Sequence, residues 1–319
     1  MSNRSILRYF LIVLMGLILG SVVLYKSIPN PSSPGNSSPE AFSDEPLLNN
    51  LPESAEKRLL IYGRELIINT AAYLGPHGSV ASITNGMNCG NCHLEAGMRS
   101  NANAYIKVAA TYPKFKPRSG RVESVTFRVN DCLQRSLNGQ TLDTVSREMT
   151  AILAYIKWTA RLSRPDHGEI YPGTPELPVL ARAASVINGK EVFRTNCVVC
   201  HGNNGQGQLL AGAIGYKYPP LWGDKSYNVS AGMYRLSKLA GFVKYNMPYT
   251  EKQGAPILTD EQAWDVASFV NSQPRGNKRF GSDWPEMAAK PYDYPFGPYA
   301  DAYSEERHKY GPYGDIKKK

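Results

Sequence analysis

One five-residue pattern that occurs twice carries the clearest chemistry in this sequence. Residues Cys89–His93 (CGNCH) and Cys197–His201 (CVVCH) both have the form C-x-x-C-H. Two thiols at this separation reach the two vinyl groups of one porphyrin, and the adjacent histidine falls on the iron. A lone C-x-x-C also occurs in disulfides and zinc sites, but a histidine at the same position twice disfavours both. The pattern predicts two covalently bound c-type haems, attached through Cys89, Cys92, Cys197 and Cys200 and ligated by His93 and His201.

The second axial position of each iron decides between electron transfer and catalysis. For the second haem, Met247 lies 46 residues after His201 and before a predicted C-terminal helix. Class I cytochromes c keep their methionine ligand at a similar place. Met233 is the alternative ligand for the same iron.

Met247 is followed by Pro248, and the first haem domain has no comparable Met-Pro pair to supply its second axial ligand. Cys132 lies 39 residues after His93 and is the one cysteine outside the two C-x-x-C-H motifs. An odd cysteine in an exported protein is a free thiol, an intermolecular bridge or a ligand. As a thiolate ligand, Cys132 would stabilise ferric iron. Alternatively, Cys132 is a free cysteine that packs as a small buried hydrophobic residue. The spacing alone leaves both interpretations open.

The elements that position these residues repeat along the chain. A helical pattern leads into each motif, over Glu56–Leu74 and Ala181–Cys200. An amphipathic helix follows each motif, with apolar residues spaced i, i+3, i+4, i+7 from Met149 and again from Ala263. No convincing sheet pattern is present. The predicted fold class is all-α, with two haem domains in tandem that resemble class I cytochrome c.

The domain organisation follows from composition. A chain of 319 residues allows about two domains. Haem domain 1 is predicted over 51–163, a Pro- and Gly-rich linker over 164–178, and haem domain 2 over 179–274. Residues 275–319 form an aromatic, Pro-rich C-terminal extension, which we expect to pack across both domains.

The N-terminus predicts export. Arg4 and Arg8 precede an apolar run from Tyr9 to Tyr25, so residues 1–26 read as an uncleaved membrane anchor or a cleaved signal. Residues 27–50 are rich in Pro, Ser and Asn and predict a flexible tether. A periplasmic location also agrees with resemblance to known c-type cytochromes.

The formal net charge of +9 includes a terminal run of three lysines. This positive charge either serves only to keep the protein soluble or attracts an anionic substrate or an acidic redox partner. No motif supports nucleic-acid binding.

Seven further short segments have residue types and an order along the chain that can be compared with known families. They are Tyr112-Pro113, Pro117–Gly120, Arg128–Cys132, Arg135–Gly139, Pro219–Gly223, Asn246–Pro248 and Pro295–Ala300. Together they resemble the dihaem thiosulfate dehydrogenases, from about Leu51 to the C-terminus. The resemblance implies an enzyme that couples two thiosulfate anions into tetrathionate and passes two electrons to a cytochrome c or similar carrier. Some relatives run the reaction in reverse as tetrathionate reductases.

The resemblance also implies residue roles. It places the substrate at a cysteine-ligated haem, so Cys132 becomes iron ligand and catalytic centre. Arg118, Arg128 and Ser136 carry over by motif as substrate residues. A guanidinium offers a planar pair of donors to sulfonate oxygens and keeps its charge near neutral pH. Each arginine, taken alone, could equally pair with a haem propionate.

One departure from the family affects the second haem. Some relatives have a lysine directly before the methionine, whereas this chain has Asn246, and the nearest lysine is Lys244. We therefore expect His201 and Met247 to ligate the second iron in both redox states. Two other functions stay open: a pure dihaem electron-transfer cytochrome, and another sulfur oxidoreductase with a cysteine-ligated haem, such as those that load thiosulfate onto a carrier protein.

Overall fold

A computed structural model of the chain describes residues 44–162, 171–212, 214–250 and 254–317, all within one compact unit. Helices make up most of the regular structure in these ranges, which confirms the expected all-α class. They are α1 (Glu45–Asn49), α2 (Ala55–Ile68), α3 (Thr70–Leu74), α4 (Leu94–Gly97), α5 (Val108–Thr111), α6 (Val125–Arg135), α7 (Arg147–Thr159), α8 (Val186–Asn196), α9 (Val198–His201), α10 (Leu236–Asn246), α11 (Asp260–Ser272) and α12 (Glu305–Tyr310). Short 3₁₀ turns occupy Cys89–Asn91, Ala160–Leu162, Gly232–Tyr234 and Met287–Ala289.

The first core is built where α2 crosses α7. Ser54 and Ser146 cap these helices by accepting a hydrogen bond from a backbone N–H of the first turn. The crossing is close, because a Cβ at Gly63 would lie 2.1 Å from the carbonyl oxygen of Ala151. The buried faces of the two helices include Leu66 and Met149, both fully buried. This packing places the first C-x-x-C-H motif beside the end of α2.

The second core repeats the arrangement with α8 and α11. Gly189 is the equivalent of Gly63, since a Cβ there would lie 1.9 Å from the carbonyl oxygen of Asp265. Thr259 caps α11 in a capping box with Gln262. The predicted start of the preceding helix at Ala181 is wrong, because Ser185 caps the helix and α8 begins at Val186.

Two small antiparallel ladders depart from the expectation of no sheet. Strand β1 (Lys114–Lys116) pairs with β2 (Arg121–Glu123), and β3 (Gln208–Leu209) pairs with β4 (Tyr216–Tyr218). Each ladder has only two or three residues per strand, so neither produced an alternating apolar pattern long enough to detect.

The predicted tether over 27–50 is wrong for its last residues. Asp44 is buried and its carboxylate accepts hydrogen bonds from Arg64 and Tyr155, while Leu48 in α1 is 2% exposed. The tether was predicted from its Pro, Ser and Asn content, and local composition does not indicate contacts with residues as distant in sequence as Arg64 and Tyr155. The rest of the tether, and the apolar run Tyr9–Tyr25, lie outside the described residues. Within the described ranges, no helix has the length and apolar character needed to cross a membrane.

The C-terminal extension packs across both domains, as expected. In the first domain, Asp283 pairs with Arg135. In the second domain, Asp293 pairs with Arg235, and Tyr313 packs against Trp264. The extension therefore contacts both haem domains.

Candidate functional site

A cavity lies beside each C-x-x-C-H motif. The first cavity has a volume of about 470 Å³ and is lined by Cys89, Cys92 and His93. The second has a volume of about 320 Å³ and is lined by Cys197, Cys200 and His201. Most of the other lining residues are apolar, as a porphyrin face requires, including Ile67, Leu133, Ile152 and Ile156 in the first and Leu239, Phe242, Leu258 and Val266 in the second.

The histidines are oriented as haem ligands need to be. His93 Nδ1 lies 2.6 Å from the carbonyl oxygen of Asn103, and His201 Nδ1 lies 2.8 Å from that of Pro219. A carbonyl only accepts, so Nδ1 carries the proton in both rings and Nε2 keeps its lone pair for a metal. Burial lowers the pKa of both imidazoles, that of His93 to about 4, which keeps them in the neutral, ligating form. The residues of both cavities fit a covalently attached haem.

Helix α6 brings the predicted catalytic residues to the first cavity. Ser124 caps the helix, and Arg128, Cys132 and Ser136 follow at intervals of four, so all three lie on one face. That face lines the same cavity as His93. Arg118 is not among the lining residues, and the structure instead places it behind Arg128, against Asp131.

The charge around the first cavity is one-sided. Among the described residues that line it, the charged side chains are Lys107, Lys116 and Arg128, and none is a carboxylate. The pKa of Arg128 is raised above its usual value, chiefly by the neighbouring Cys132. Burial lowers the pKa of Lys116, and the charge of Arg128 lowers it further. Such a cavity favours small anions next to a cysteine sulfur.

Asp131 contacts three arginines, Arg118, Arg128 and Arg135, on the outer side of the first cavity. Its carboxylate accepts hydrogen bonds from Arg128 and Arg135, and Arg118 Nη1 lies 3.5 Å from its Oδ2 atom. Burial raises the pKa of Asp131, but the charges of these arginines outweigh it, and the net pKa lies below its usual value. Asp131 is therefore an anion at neutral pH.

The second cavity holds both methionine candidates. Met247 and Met233 line it together, as do Pro248 and Tyr249. The side-chain nitrogens closest to Met247 in the sequence are already engaged in hydrogen bonds. Asn246 Nδ2 donates to the carbonyl oxygen of Asn101 at 3.0 Å. Lys244 donates to the carbonyl of Leu258 and pairs with Asp260, each at 2.8 Å.

The two cavities adjoin each other through the first motif. Cys92 lines both of them, and Gly90 and Asn91 line the second. A haem attached at Cys92 is therefore next to the cavity of the other haem. This arrangement suits direct electron exchange between the two.

Sequence reasoning missed the residues that hold the arginines. Asp131 follows Arg128 by three positions and precedes Arg135 by four, and helical spacing of this kind predicts ion pairs. The second partner of Arg135 is Asp283, which is 148 residues away and had no local signal.

Comparisons with known proteins agree with this geometry. Residues 79–163 match the family described as SoxA/TsdA, cytochrome c domain, and residues 186–274 match the family described as cytochrome c. These matches confirm two cytochrome c domains in tandem.

Whole-chain relatives are more specific. The thiosulfate dehydrogenase of Stutzerimonas stutzeri is 34% identical over 273 residues, which cover 83% of this chain and 85% of that protein. The thiosulfate dehydrogenase of Allochromatium vinosum is 34% identical over 229 residues, or 70% of this chain and 81% of that protein.

A solved structure is similar across most of the fold. The thiosulfate dehydrogenase TsdBA from Marichromatium purpuratum, in its as-isolated form, matches with a TM-score of 0.64 at 29% identity over 73% of this chain. The match spans only 50% of that longer chain. Identity of 34% across most of both partners shows common ancestry, and this chain belongs to the thiosulfate dehydrogenase family.

Proposed function

We propose that this chain interconverts thiosulfate and tetrathionate, two thiosulfate anions giving one tetrathionate and two electrons. The observation that carries the proposal is the first cavity, where Cys132 lies among Lys107, Lys116 and Arg128 with no carboxylate among the described lining residues. Two dianionic substrates must approach each other there, and only fixed positive charge offsets their repulsion. The whole-chain relatives support the same activity through their names.

The cavities support one pair of axial ligands for each haem. His93 and Cys132 would hold the iron of the first haem, and His201 and Met247 that of the second. When bound, each haem supplies a one-electron acceptor, so the pair matches a two-electron reaction. Met233 packs against three apolar clusters, whereas Met247 packs against only one of them and follows directly on the end of α10, and this favours Met247 as the ligand.

Cys132 would provide the sulfur chemistry. Its sulfur would form a bond with the outer sulfur of a first thiosulfate, and the two electrons released by that oxidation would pass to the two haems, one to each. The outer sulfur of a second thiosulfate attacks the bound one, which forms the central bond of tetrathionate and releases the Cys132 thiolate. Arg128 holds the sulfonate oxygens, Ser136 donates a hydrogen bond one helical turn away, and Arg118 adds charge from behind.

Steady-state assays in both directions test the activity. With thiosulfate and an artificial electron acceptor, we expect tetrathionate in a ratio of one to two electrons. With tetrathionate and an artificial donor, we expect thiosulfate. A protein that exchanged electrons with artificial carriers but formed no tetrathionate would be an electron-transfer cytochrome. Transfer of thiosulfate to an added carrier protein would identify the other sulfur oxidoreductase. The physiological acceptor we propose is a cytochrome c or similar carrier that contacts the second domain.

Met247 is expected to ligate the second haem in both redox states. Asn246 and Lys244 are held by Asn101, Leu258 and Asp260, so neither offers a free nitrogen to replace the thioether. Met247→Gly should lower the potential of that haem by on the order of 0.1 V, because axial ligands set haem potentials over roughly 0.8 V. Potentiometric titration of both proteins measures this shift. A nitrogen-ligated oxidised spectrum in the wild type would contradict the expectation.

We also propose that the catalytic body is exported and tethered to the membrane by Tyr9–Tyr25, a segment outside the described residues. Fractionation of the full-length protein should recover it with the membrane. Limited proteolysis before α1 should release a fully active soluble fragment, because α1 and all later helices pack in one unit. A mature N-terminus after about residue 25 would instead show a cleaved signal.

A further inference from the structure

The arginines behind the first cavity belong to a longer chain of charges that ends in the C-terminal extension. Arg135 donates from Nε to Asp131 and, from its other edge, from Nη1 and Nη2 to Asp283 at 2.6 and 2.8 Å. Arg135 and Asp283 are each 8% exposed as side chains. The guanidinium of Arg135 also lies 4.0 Å from the ring centre of Phe280. Two edges of the Arg135 guanidinium are therefore held by carboxylates, and one face is held by an aromatic ring.

The two oxygens of Asp131 divide the arginines between them. Oδ1 accepts from Arg135, and Oδ2 accepts from Arg128 and lies 3.5 Å from Arg118 Nη1. As long as Asp283 holds the far edge of Arg135, only Nε of Arg135 is directed at Asp131. Oδ2 then remains for Arg128. Three cations, Arg118, Arg128 and Arg135, therefore share two carboxylates, those of Asp131 and Asp283.

The extension also contacts the Arg118 loop directly. The backbone N–H of Trp284 donates to the carbonyl of Arg118 at 2.6 Å. A Cβ at Gly120 would lie 2.5 Å from the ring of Pro285, so the loop and the extension are in tight contact. Residues 280–285 thus cover the arginine cluster on the side away from the haem cavity.

We propose that Asp283 is a positioning residue for the substrate-binding arginine Arg128, acting through Arg135 and Asp131. The C-terminal extension is then part of the active site, although none of its described residues lines the first cavity. Without the Asp283 carboxylate, the outer edge of Arg135 would lose its partner in a buried place and would compete with Arg128 for Asp131. This inference rests on the proposed function, since it assigns Arg128 to the substrate.

Asp283→Asn tests the proposal against a matched control in the same extension. Asp293→Asn removes a buried carboxylate that pairs with Arg235 and Ser237 of the second domain, away from the cluster. For Asp283→Asn we expect KM for thiosulfate to rise about three- to tenfold with kcat within about twofold, the size of a loosened rather than deleted contact. Affinity of the fully oxidised enzyme for tetrathionate, measured by calorimetry, should fall by a similar factor. Asp293→Asn should change neither.

Two further variants keep the test decisive. Arg135→Lys retains the buried charge, but a single ammonium does not bind Asp131 and Asp283 in parallel, so it should reproduce the KM effect even if Asp283→Asn does not fold. Combining Asp283→Asn with Arg128→Ala should give no larger effect than Arg128→Ala alone, because both act on one contact. Wild-type affinity in Arg135→Lys, or additive effects in the double variant, would overturn the proposal. A wild-type protein inactive with thiosulfate would instead overturn the proposed function.

Discussion

Cys132→Met is expected to abolish thiosulfate oxidation while the protein keeps both haems and its fold. A thioether still binds iron, so the haem and the helix face that carries Arg128 and Ser136 should stay in place. A thioether has no thiolate to bond to the outer sulfur of thiosulfate. We therefore expect kcat to fall at least about 10³-fold, equivalent to about 4 kcal/mol of transition-state stabilisation. Product analysis by ion chromatography measures this loss.

Spectroscopy and a neighbouring variant separate the chemistry from structural damage. The potential of the first haem should rise in Cys132→Met, because ferric iron loses an anionic ligand. Electron transfer from the second haem to an artificial acceptor should survive. Ser136→Ala, one turn away on the same cavity face, should cost only about two- to tenfold, as the loss of one neutral hydrogen bond does. Tetrathionate formation by Cys132→Met at the wild-type rate would move the sulfur chemistry away from Cys132.

The residues that make covalent or coordinate bonds could be found from the sequence, because such bonds need fixed residue types at fixed local spacings. The motifs at Cys89–His93 and Cys197–His201 are complete within five residues each. The helices that flank them were also predictable, since amphipathic spacing reports a buried face. Even the cap at Thr259 follows from local hydrogen bonding.

The close approach of helices and the long-range ion pairs could not be found in this way. Gly63 and Gly189 look like helix-weakening residues in the sequence, and only the crossing partner shows why a side chain does not fit. Asp44 and Asp283 lie in segments of tether-like or loop-like composition, and their partners are far along the chain. Local composition carries no information about a partner that the fold brings together.

The position of Arg118 shows how structure refines a motif. Sequence similarity gave Arg118 and Arg128 the same role, yet only Arg128 lines the first cavity. Arg118 Nη1 is buried and makes no hydrogen bond within the described residues, 3.5 Å from Asp131. We therefore expect the two arginines to differ in their effect on turnover.

Arg128→Ala is expected to lower kcat/KM for thiosulfate on the order of tenfold to a hundredfold. Removing a charge-assisted contact in a water-poor site costs about 1.5–3 kcal/mol, and every 1.4 kcal/mol is about tenfold in rate. Arg118→Ala should have a smaller effect, because its charge acts on the substrate only from behind Arg128. Stopped assays over a range of thiosulfate concentrations measure both, with haem content confirming that the folds are intact.

Arg121→Ala is the matched control for Arg128→Ala. Arg121 is exposed in strand β2, just before helix α6, and its guanidinium stacks on Phe127 at 4.2 Å without lining the cavity. The Arg121→Ala substitution removes one positive charge from the same region of the surface. Its kinetics therefore measure how much general electrostatic attraction contributes to thiosulfate turnover. Kinetics of Arg121→Ala should match the wild type at physiological salt, because exposed charges are largely screened there. Equal losses in Arg121→Ala and Arg128→Ala would mean that net charge, and not a directed contact from α6, brings thiosulfate to Cys132.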